Sequence, residues 1–360
     1  MNESFSRIII LLPTWVGDAV MATPALRAIR RQFAHAHIAW MGNAAAREVL
    51  AGLKFADEVL EDPSRRSSAS IWQAARLLRR GRYDLAILLP NSFRSALVCR
   101  LGRVPRRLGY ARDGRGWLLS DRLAPPRGAD GSLEPTPAVL YYLALVRSVG
   151  CAAEDRTMTL AVEPEFTAQA DQLLGKAGAA GRPLVIINPG ASFGTSKLWP
   201  VERFAAVADA LHERFSAAIA INAGPAETAI AAALESAMRH PPAVNLARTG
   251  PSLGLLKALT ARATLMITGD TGPRHIAAAL GAGVVTLFGP TDPAWTTINY
   301  DRERMIRVDV PCSSCQKKAC PLKGPRYQQC MLQITPQQVL AAAEELLRLG
   351  RCPDGREVQA

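Results

Sequence analysis

The chain has 360 residues, of which 49% are hydrophobic, 21% charged and 6% aromatic. This length predicts two domains, and the composition excludes a disordered chain, a collagen-like chain and a small disulfide-stapled fold. The net charge of +12 is uneven, because residues 1–160 hold 23 basic and 14 acidic side chains whereas residues 161–360 hold 20 and 17. We therefore expect an anionic partner at the first half, although a solvated basic surface would give the same count.

Short apolar runs alternate with helical stretches, which is the pattern of parallel βαβ units. In the first half we predict strands at residues 8–12, 37–41 and 85–89, helices at 71–80, 93–101 and 141–149, and a proline-rich surface loop at 125–137. The apolar run at 8–12 is too short for a signal or membrane segment, and the odd number of cysteines, seven, fits a reducing compartment. We therefore expect a soluble, cytoplasmic protein.

The second half restarts the same pattern. Strands are predicted at 184–188, 217–222, 243–246, 265–268 and 284–288, and helices at 201–215, 227–238, 253–261 and 275–280. A last helix follows Thr335, a good N-cap that Gln338 completes as a capping box, and Gly350 ends it. These elements predict the α/β class with two Rossmann-like domains, residues 1–165 and 166–360, facing a central cleft. The last helix could pack back on the first domain.

Three loops at predicted strand ends carry polar residues, and ligands of open parallel sheets bind at such ends. The first loop, residues 13–18, reads P-T-W-V-G-D, and a helical pattern follows from about Val20. Gly17 allows close approach of the backbone, while Asp18 stands at the opening of the helix. Aspartate is common there as an N-cap, so capping and catalysis both stay open from the residues alone. The loop lacks G-x-G-x-x-G, so a dinucleotide site has no support.

The other two loops offer groups that bind anions. Residues 188–200 read N-P-G-A-S-F-G-T-S-K-L-W-P, in which small residues, hydroxyls and Lys197 suit a phosphate, although an ordinary loop with a solvated lysine fits equally. Residues 268–275 read T-G-D-T-G-P-R-H and open a helix, whose N-terminal turn and Thr271 hydroxyl predict an anion site. Asp270 suits a sugar hydroxyl. His275 lies in the same turn, although a lone histidine is more often a packing residue.

Taken together, the motifs resemble those of glycosyltransferase family 9, the ADP-heptose:lipopolysaccharide heptosyltransferases of bacterial inner-core assembly. The resemblance rests on W-V-G-D-x4-T-P from Trp15, P-G-A-S-F-G-T-S-K-L-W-P from Pro189, and G-D-T-G-x-x-H-x-A-A-A-L with the later F-G-P-T-D-P. The details are most similar to members that add the second heptose, to heptosyl-Kdo-lipid A. The resemblance implies a GT-B fold and inverting, metal-independent transfer from ADP-L-glycero-D-manno-heptose, with acceptor in the N-terminal domain and nucleotide-sugar in the C-terminal one.

The resemblance also implies roles for individual residues. Asp18 would be the general base on the acceptor hydroxyl, and Lys197 would stabilise the leaving diphosphate. Residues expected at the nucleotide-sugar are Ser192, Thr195, Asp270, Thr271, Gly272 and His275, together with Glu227, a looser match, at the ribose. Residues expected at the acceptor are Thr14, Trp15 and Gly17.

Seven arginines lie within residues 94–115, opposed only by Asp113. Because guanidinium groups bind carboxylates and phosphates well, we expect some of them, Arg94, Arg106 and Arg107 first, to meet the Kdo or phosphate groups of the lipid A acceptor. Anionic headgroups would attract the same side chains, so peripheral contact with the inner membrane is expected. A solvated surface is the alternative for most of the individual arginines.

Four cysteines near the C-terminus form a candidate structural metal cluster, namely Cys312, Cys315, Cys320 and Cys330. The first pair has the spacing of zinc ligands, but the remainder fits no standard finger, so packed or reactive thiols are the alternative.

Two further functions compete with heptosyl transfer. A basic nucleic-acid-binding protein would explain the charge, but the chain lacks interleaved aromatics and a known binding motif, so we expect no nucleic acid partner. A nucleotide-sugar epimerase would use a similar cleft. Within the family, a first-heptose transferase or another member is the alternative.

Overall fold

The computed structural model describes residues 5–65 and 70–350, and within them the chain forms two compact units. The first unit holds the described residues up to Leu160 together with Ala294–Ile298. The second unit holds Ala161–Pro293 and the described residues from Asn299 onward.

The first unit is built on a six-stranded parallel sheet in the order β3-β2-β1-β4-β5-β6. Its strands are β1 (Arg7–Leu11), β2 (His37–Gly42), β3 (Glu58–Glu61), β4 (Leu85–Leu88), β5 (Arg106–Tyr110) and β6 (Asp121–Leu123). Its helices are α1 (Val16–Met21), α2 (Thr23–Gln32), α3 (Ala44–Leu50), α4 (Ser70–Gly81), α5 (Phe93–Leu101) and α6 (Ala138–Arg147). The central strands β1 and β4 read as continuous apolar runs because helices cover both faces of the sheet.

A second six-stranded parallel sheet, in the order β12-β11-β10-β7-β8-β9, forms the other unit. Its strands are β7 (Leu184–Asn188), β8 (Ala218–Ile221), β9 (Val244–Asn245), β10 (Leu265–Gly269), β11 (Gly283–Phe288) and β12 (Glu303–Arg307). Its helices are α7 (Pro164–Lys176), α8 (Val201–Phe215), α9 (Thr228–Ala237), α10 (Leu246–Thr249), α11 (Leu253–Arg262), α12 (Gly272–Ala279), α13 (Gln329–Leu332) and α14 (Pro336–Arg348).

Both sheets have the same topology, in which the chain starts at a central strand, runs to one edge and then crosses to the other side. The two strands at the crossover are β1 and β4 in the first unit, and β7 and β10 in the second. Loops that leave two such strands diverge, and the crevice between them is where open parallel sheets bind ligands. The predicted α/β class with two Rossmann-like sheets is therefore confirmed. The central cleft stays a prediction.

Among the described residues, no helix combines the length and the apolar character that a bilayer crossing requires.

Candidate active site

Asp18 lies in the first turn of α1, at the carboxyl end of β1. The helix begins at Val16 and its N-cap residue is Trp15, so Asp18 is the third residue of the helix and the interpretation of Asp18 as the N-cap residue is wrong. The Asp18 side chain is half-buried. Burial, and then the negative charge of Asp18, raise the pKa of Tyr142 in α6 well above its usual range, which places the carboxylate near that ring. Gly17 is buried beneath this loop, Thr14 is half-buried and Trp15 is exposed.

A cavity of about 300 Å³ opens beside this loop, at the carboxyl ends of β1, β2 and β4. Its polar lining residues are Thr14, Asn43, Asp62, Ser64, Ser92, Arg94 and Ser95. The sequence prediction included Thr14 and Arg94 but missed the others. Asn43 Nδ2 donates to the Thr14 carbonyl at 3.0 Å while its Oδ1 accepts from the Ala46 amide at 2.8 Å. One side chain therefore both caps α3 and holds the loop that leads to Asp18. Its position two residues after the predicted strand at 37–41 is the sequence signal that could have identified it.

The predicted acceptor arginines do not share one environment. Arg106 forms an ion pair with Asp121, with its Nε 2.8 Å from Oδ2. Arg107 donates from Nε to the Leu118 carbonyl at 2.8 Å, and further backbone carbonyls accept from its Nη1. Both guanidinium groups thus hold their own unit together. Arg94 is exposed, lines the cavity and donates to the Ser64 carbonyl.

In the second unit, Asn188 at the end of β7 joins three strand ends. Its Nδ2 donates to Thr268 Oγ1 at 3.0 Å and to Thr271 Oγ1 at 3.3 Å, while its Oδ1 accepts from Asn222 at 2.6 Å. Thr271 is the N-cap residue of α12, and Gly272 is the first residue of that helix. The predicted anion site at the helix N-terminus therefore lies at the same strand ends as the loop after β7.

Lys197 and Asp270 form a buried ion pair in this region. The Lys197 ammonium lies 2.9 Å from Asp270 Oδ2 and 2.7 Å from the Asp270 carbonyl, and only 8% and 7% of the two side chains are exposed. Thr291 donates to the same Oδ2 at 2.9 Å, and the Phe193 ring centroid lies 4.8 Å from the ammonium. Burial opposes ionisation of Asp270, but the charges of Lys197 and Arg274 outweigh it and lower its pKa to about 2. Sequence reasoning omitted Phe193 and Thr291.

His275 is buried and neutral. Burial, followed by the positive charge of Arg274, lowers its pKa to about 3. Its Nδ1 is buried and finds no hydrogen-bond partner among the described residues. Because a neutral imidazole has one donor and one acceptor nitrogen, His275 can contact a ligand through a hydrogen bond but not as a cation.

Glu227 packs against the loop that follows β7. Its Oε2 accepts from the Gly224 amide at 2.9 Å, and a Cβ on Gly190 would lie 2.2 Å from its Cδ. An alanine at position 190 would therefore displace the Glu227 carboxylate from this place. Ser192 and Thr195 are exposed on the same loop. The second unit thus brings the predicted loops around residues 190, 197, 227 and 270 to one side of its sheet.

Residues 312–330, named here the cysteine strap, form hydrogen bonds with the loop that carries Lys197. The Ser196 amide donates to the Lys318 carbonyl at 3.1 Å, and Gln328 Nε2 donates to the Thr195 carbonyl at 2.6 Å. Burial, and then the three other thiols of the strap, raise the pKa of Cys330. Across residues 5–65 and 70–350, however, no group of three or more His, Cys, Asp or Glu side chains is arranged to hold a metal ion. The predicted metal cluster gains no support.

Comparisons with known proteins agree with this arrangement. A family model described as glycosyltransferase family 9 (heptosyltransferase) matches residues 71–325. Lipopolysaccharide heptosyltransferase 2 of Salmonella typhimurium is 31% identical over 95% of this chain and 98% of its own length. Lipooligosaccharide heptosyltransferase 2 of Haemophilus influenzae is 29% identical over 94% and 99%. The solved structure of E. coli ADP-heptose lipopolysaccharide heptosyltransferase II has a TM-score of 0.77 at 26% identity and covers 95% of this chain and 99% of that one.

Proposed function

The chain belongs to glycosyltransferase family 9, and on that premise we propose that it transfers heptose from ADP-heptose to the heptosyl-Kdo-lipid A inner core of lipopolysaccharide. It is a glycosyltransferase, and its two parallel sheets have the predicted GT-B fold class. The observation that carries the choice of substrate is the full-length likeness to heptosyltransferases of the second type.

In the proposed reaction the first unit activates the acceptor. Asp18 accepts the proton of the acceptor hydroxyl while that oxygen attacks the anomeric carbon of the heptose, and the bond from this carbon to the β-phosphate oxygen breaks. The products are the glycoside, ADP and the proton held by Asp18. The half-buried place of Asp18 at the carboxyl end of β1, inside the first turn of α1, supports this role because ligands of open parallel sheets bind at that edge.

The second unit holds the donor in this proposal. Negative charge develops on the leaving diphosphate, and Lys197 with the N-terminus of α12 supplies positive potential there. Ser192, Thr195, Thr271, Gly272 and His275 donate hydrogen bonds to the phosphates or nearby groups, and Glu227 contacts the ribose. Asp270 accepts a hydrogen bond from a heptose hydroxyl in this proposal. It also forms the buried ion pair with the Lys197 ammonium, which keeps that group beside the donor. Because these groups carry the charge, the step requires no metal ion, and a chelator should leave the initial rate unchanged.

The acceptor occupies the cavity beside Asp18 in this proposal. Arg94 is the predicted arginine that lines it, and Ser92 caps α5, whose N-terminus adds positive potential. Both features suit the carboxylate or phosphate groups of a Kdo-containing glycolipid. Trp15 and Gly17 on the adjoining loop complete the acceptor contacts that we propose.

We also propose that the first unit contacts the anionic surface of the inner membrane, where such an acceptor resides. Trp72 on α4 is 61% exposed and Trp117 is 70% exposed, and the Phe93 ring centroid lies 6.1 Å from that of Trp117. α4 packs against α5, which starts at Phe93. Exposed aromatic rings on a basic unit are the combination that interfacial binding uses.

One assay tests the transfer. ADP release from ADP-heptose is measured with Kdo-lipid A and with heptosyl-Kdo-lipid A, for the wild type and Asp18→Asn. We expect wild-type activity on the heptosylated acceptor and a loss of about 100- to 10,000-fold in kcat for the variant, with unchanged ADP affinity by calorimetry.

Other outcomes separate the alternatives. Activity on Kdo-lipid A alone would assign the first heptose instead, and full activity of Asp18→Asn would remove the proposed base. Conversion of ADP-heptose without any acceptor would indicate an epimerase, and salt-sensitive nucleic acid binding without ADP binding would indicate the basic binding protein.

A further inference from the structure

A second buried ion pair, between Arg274 and Glu303, adjoins Asp270. Arg274 Nε lies 2.6 Å from Glu303 Oε1 and its Nη2 lies 3.0 Å from Oε2, a two-point contact. The Arg274 side chain is 0% exposed, and its guanidinium lies 5.0 Å from the Phe288 ring centroid. Thr286 donates to Glu303 Oε1 at 2.6 Å. Neither Arg274 nor Glu303 was among the predicted site residues.

Arg274 also reaches the proposed donor site. Its Nη1 lies 3.3 Å from Asp270 Oδ1, whereas the other oxygen, Oδ2, accepts from Lys197 and Thr291. The charges therefore alternate along the row Glu303, Arg274, Asp270 and Lys197. Each inner group touches an opposite charge on both sides, and the row ends at the ammonium group assigned to the leaving diphosphate.

Stability alone does not account for this arrangement. Removing two charges from water costs free energy that their attraction repays only in part, so an apolar pair of similar volume commonly holds a fold equally well. A two-point guanidinium contact, by contrast, fixes direction as well as distance. Glu303 therefore orients Arg274, and the third nitrogen of that guanidinium orients one oxygen of Asp270.

We propose that Arg274 and Glu303 are positioning residues for glycosyl transfer. The pair holds Asp270 Oδ1, which leaves Oδ2 aimed at Lys197, and thereby sets where the ammonium stands when charge develops on the diphosphate. The inference rests on the proposed function. It predicts that the pair acts on the transition state more than on the bound donor, so that its loss lowers kcat more than it raises KM for ADP-heptose.

The test replaces the pair by apolar side chains. The double variant Arg274→Met/Glu303→Leu should keep its melting temperature near that of the wild type, lower kcat by about 10- to 100-fold and change KM for ADP-heptose by less than about threefold. The matched control is Lys257→Met/Glu163→Leu, which removes another ion pair of the second unit, with Nζ 2.9 Å from Oε2 and Lys257 0% exposed. The control should keep wild-type kcat.

Each other outcome decides against the inference or against its premise. A folded double variant with wild-type kcat, or an equal loss of kcat in the control, would overturn the positioning role. If the double variant does not fold, the test uses Glu303→Gln, which keeps the size of the side chain and an oxygen that can accept from Thr286. A wild-type kcat in Glu303→Gln would also overturn the positioning role. Absence of wild-type activity on any heptose acceptor would instead overturn the proposed function.

Discussion

At the scale of the residue, His275 makes the stability of the fold depend on pH. Its pKa of about 3 in the folded chain lies below the ordinary value of 6.5, so between these values only the unfolded chain takes up the proton. The His275 contribution is therefore fully present above about pH 6.5 and is lost as the pH falls toward 3. We expect His275→Gln to flatten the decline of the urea midpoint between about pH 6.5 and about pH 4.

The control for this prediction is His35→Gln, since His35 is exposed. That variant should keep the wild-type pH dependence. An unchanged slope in His275→Gln would show that the buried imidazole does not carry the effect.

Single residues also mark the limit of what the sequence predicts about the site. Motifs located Lys197 and Asp270, because a glycine-rich loop that follows an apolar strand can be recognised from the sequence alone. Thr291, which donates to Asp270, follows β11, and Glu303, which pairs with Arg274, lies in β12, so only the folded sheet brings these groups within hydrogen-bond distance. The sequence pattern placed the start of α1 near Val20, which made Asp18 a candidate N-cap residue. In the structure the helix begins at Val16 and the N-cap residue is Trp15, because helix ends are the least certain part of such a prediction.

At the scale of the element, the contact between the Lys197 loop and the cysteine strap requires Gly194. A Cβ at that position would lie 2.2 Å from the Lys318 carbonyl oxygen, a backbone atom that cannot rotate away. We expect Gly194→Ala to displace the loop, to raise KM for ADP-heptose by about tenfold and to cost about 1 to 3 kcal/mol of unfolding free energy. Initial-rate kinetics and urea unfolding measure the two effects.

Gly175→Ala is the matched control for the strap contact. Gly175 lies in α7, where a Cβ meets nothing within 4 Å, so alanine should be neutral or stabilise the second unit by about 0.5 to 1 kcal/mol. Gly194→Ala kinetics equal to those of the wild type would mean that the strap does not shape the loop.

Helices and strands could be predicted where burial or helix capping produces a recognisable pattern of residues in the sequence. The central strands were predicted to within a residue or two because both faces are covered, and α14 has the predicted capping box between Thr335 and Gln338. Strands β3, β5, β6 and β12 were missed. β3, β6 and β12 lie at sheet edges, and β3 and β12 read E-V-L-E and E-R-M-I-R. Charged residues suit an edge that faces solvent but conceal the strand from a search for apolar runs.

At the scale of the whole molecule, the proposal divides the two substrates between the two units. Arg94→Gln should therefore raise KM for the heptosyl-Kdo-lipid A acceptor by about 10- to 150-fold, because a charged hydrogen bond contributes about 1.5 to 3 kcal/mol, and should leave ADP affinity unchanged. Arg100→Gln, exposed at the other end of α5, is the control and should do neither. A parallel loss of acceptor and ADP binding in Arg94→Gln would argue against the division.

The uneven charge of the chain leads to a prediction about membranes. A basic unit with exposed Trp72 and Trp117 should bind vesicles that contain phosphatidylglycerol more tightly than neutral vesicles, and added salt should weaken the binding. Trp72→Ser/Trp117→Ser should lower the vesicle-bound fraction by about tenfold in sedimentation, because aromatic burial at the interface is lost while charge is kept. Met305→Ser, which removes a 49%-exposed apolar side chain from the second unit, should not. Equal losses in both variants would show that exposed apolar area anywhere on the chain drives binding, and that the first unit has no special surface for the membrane.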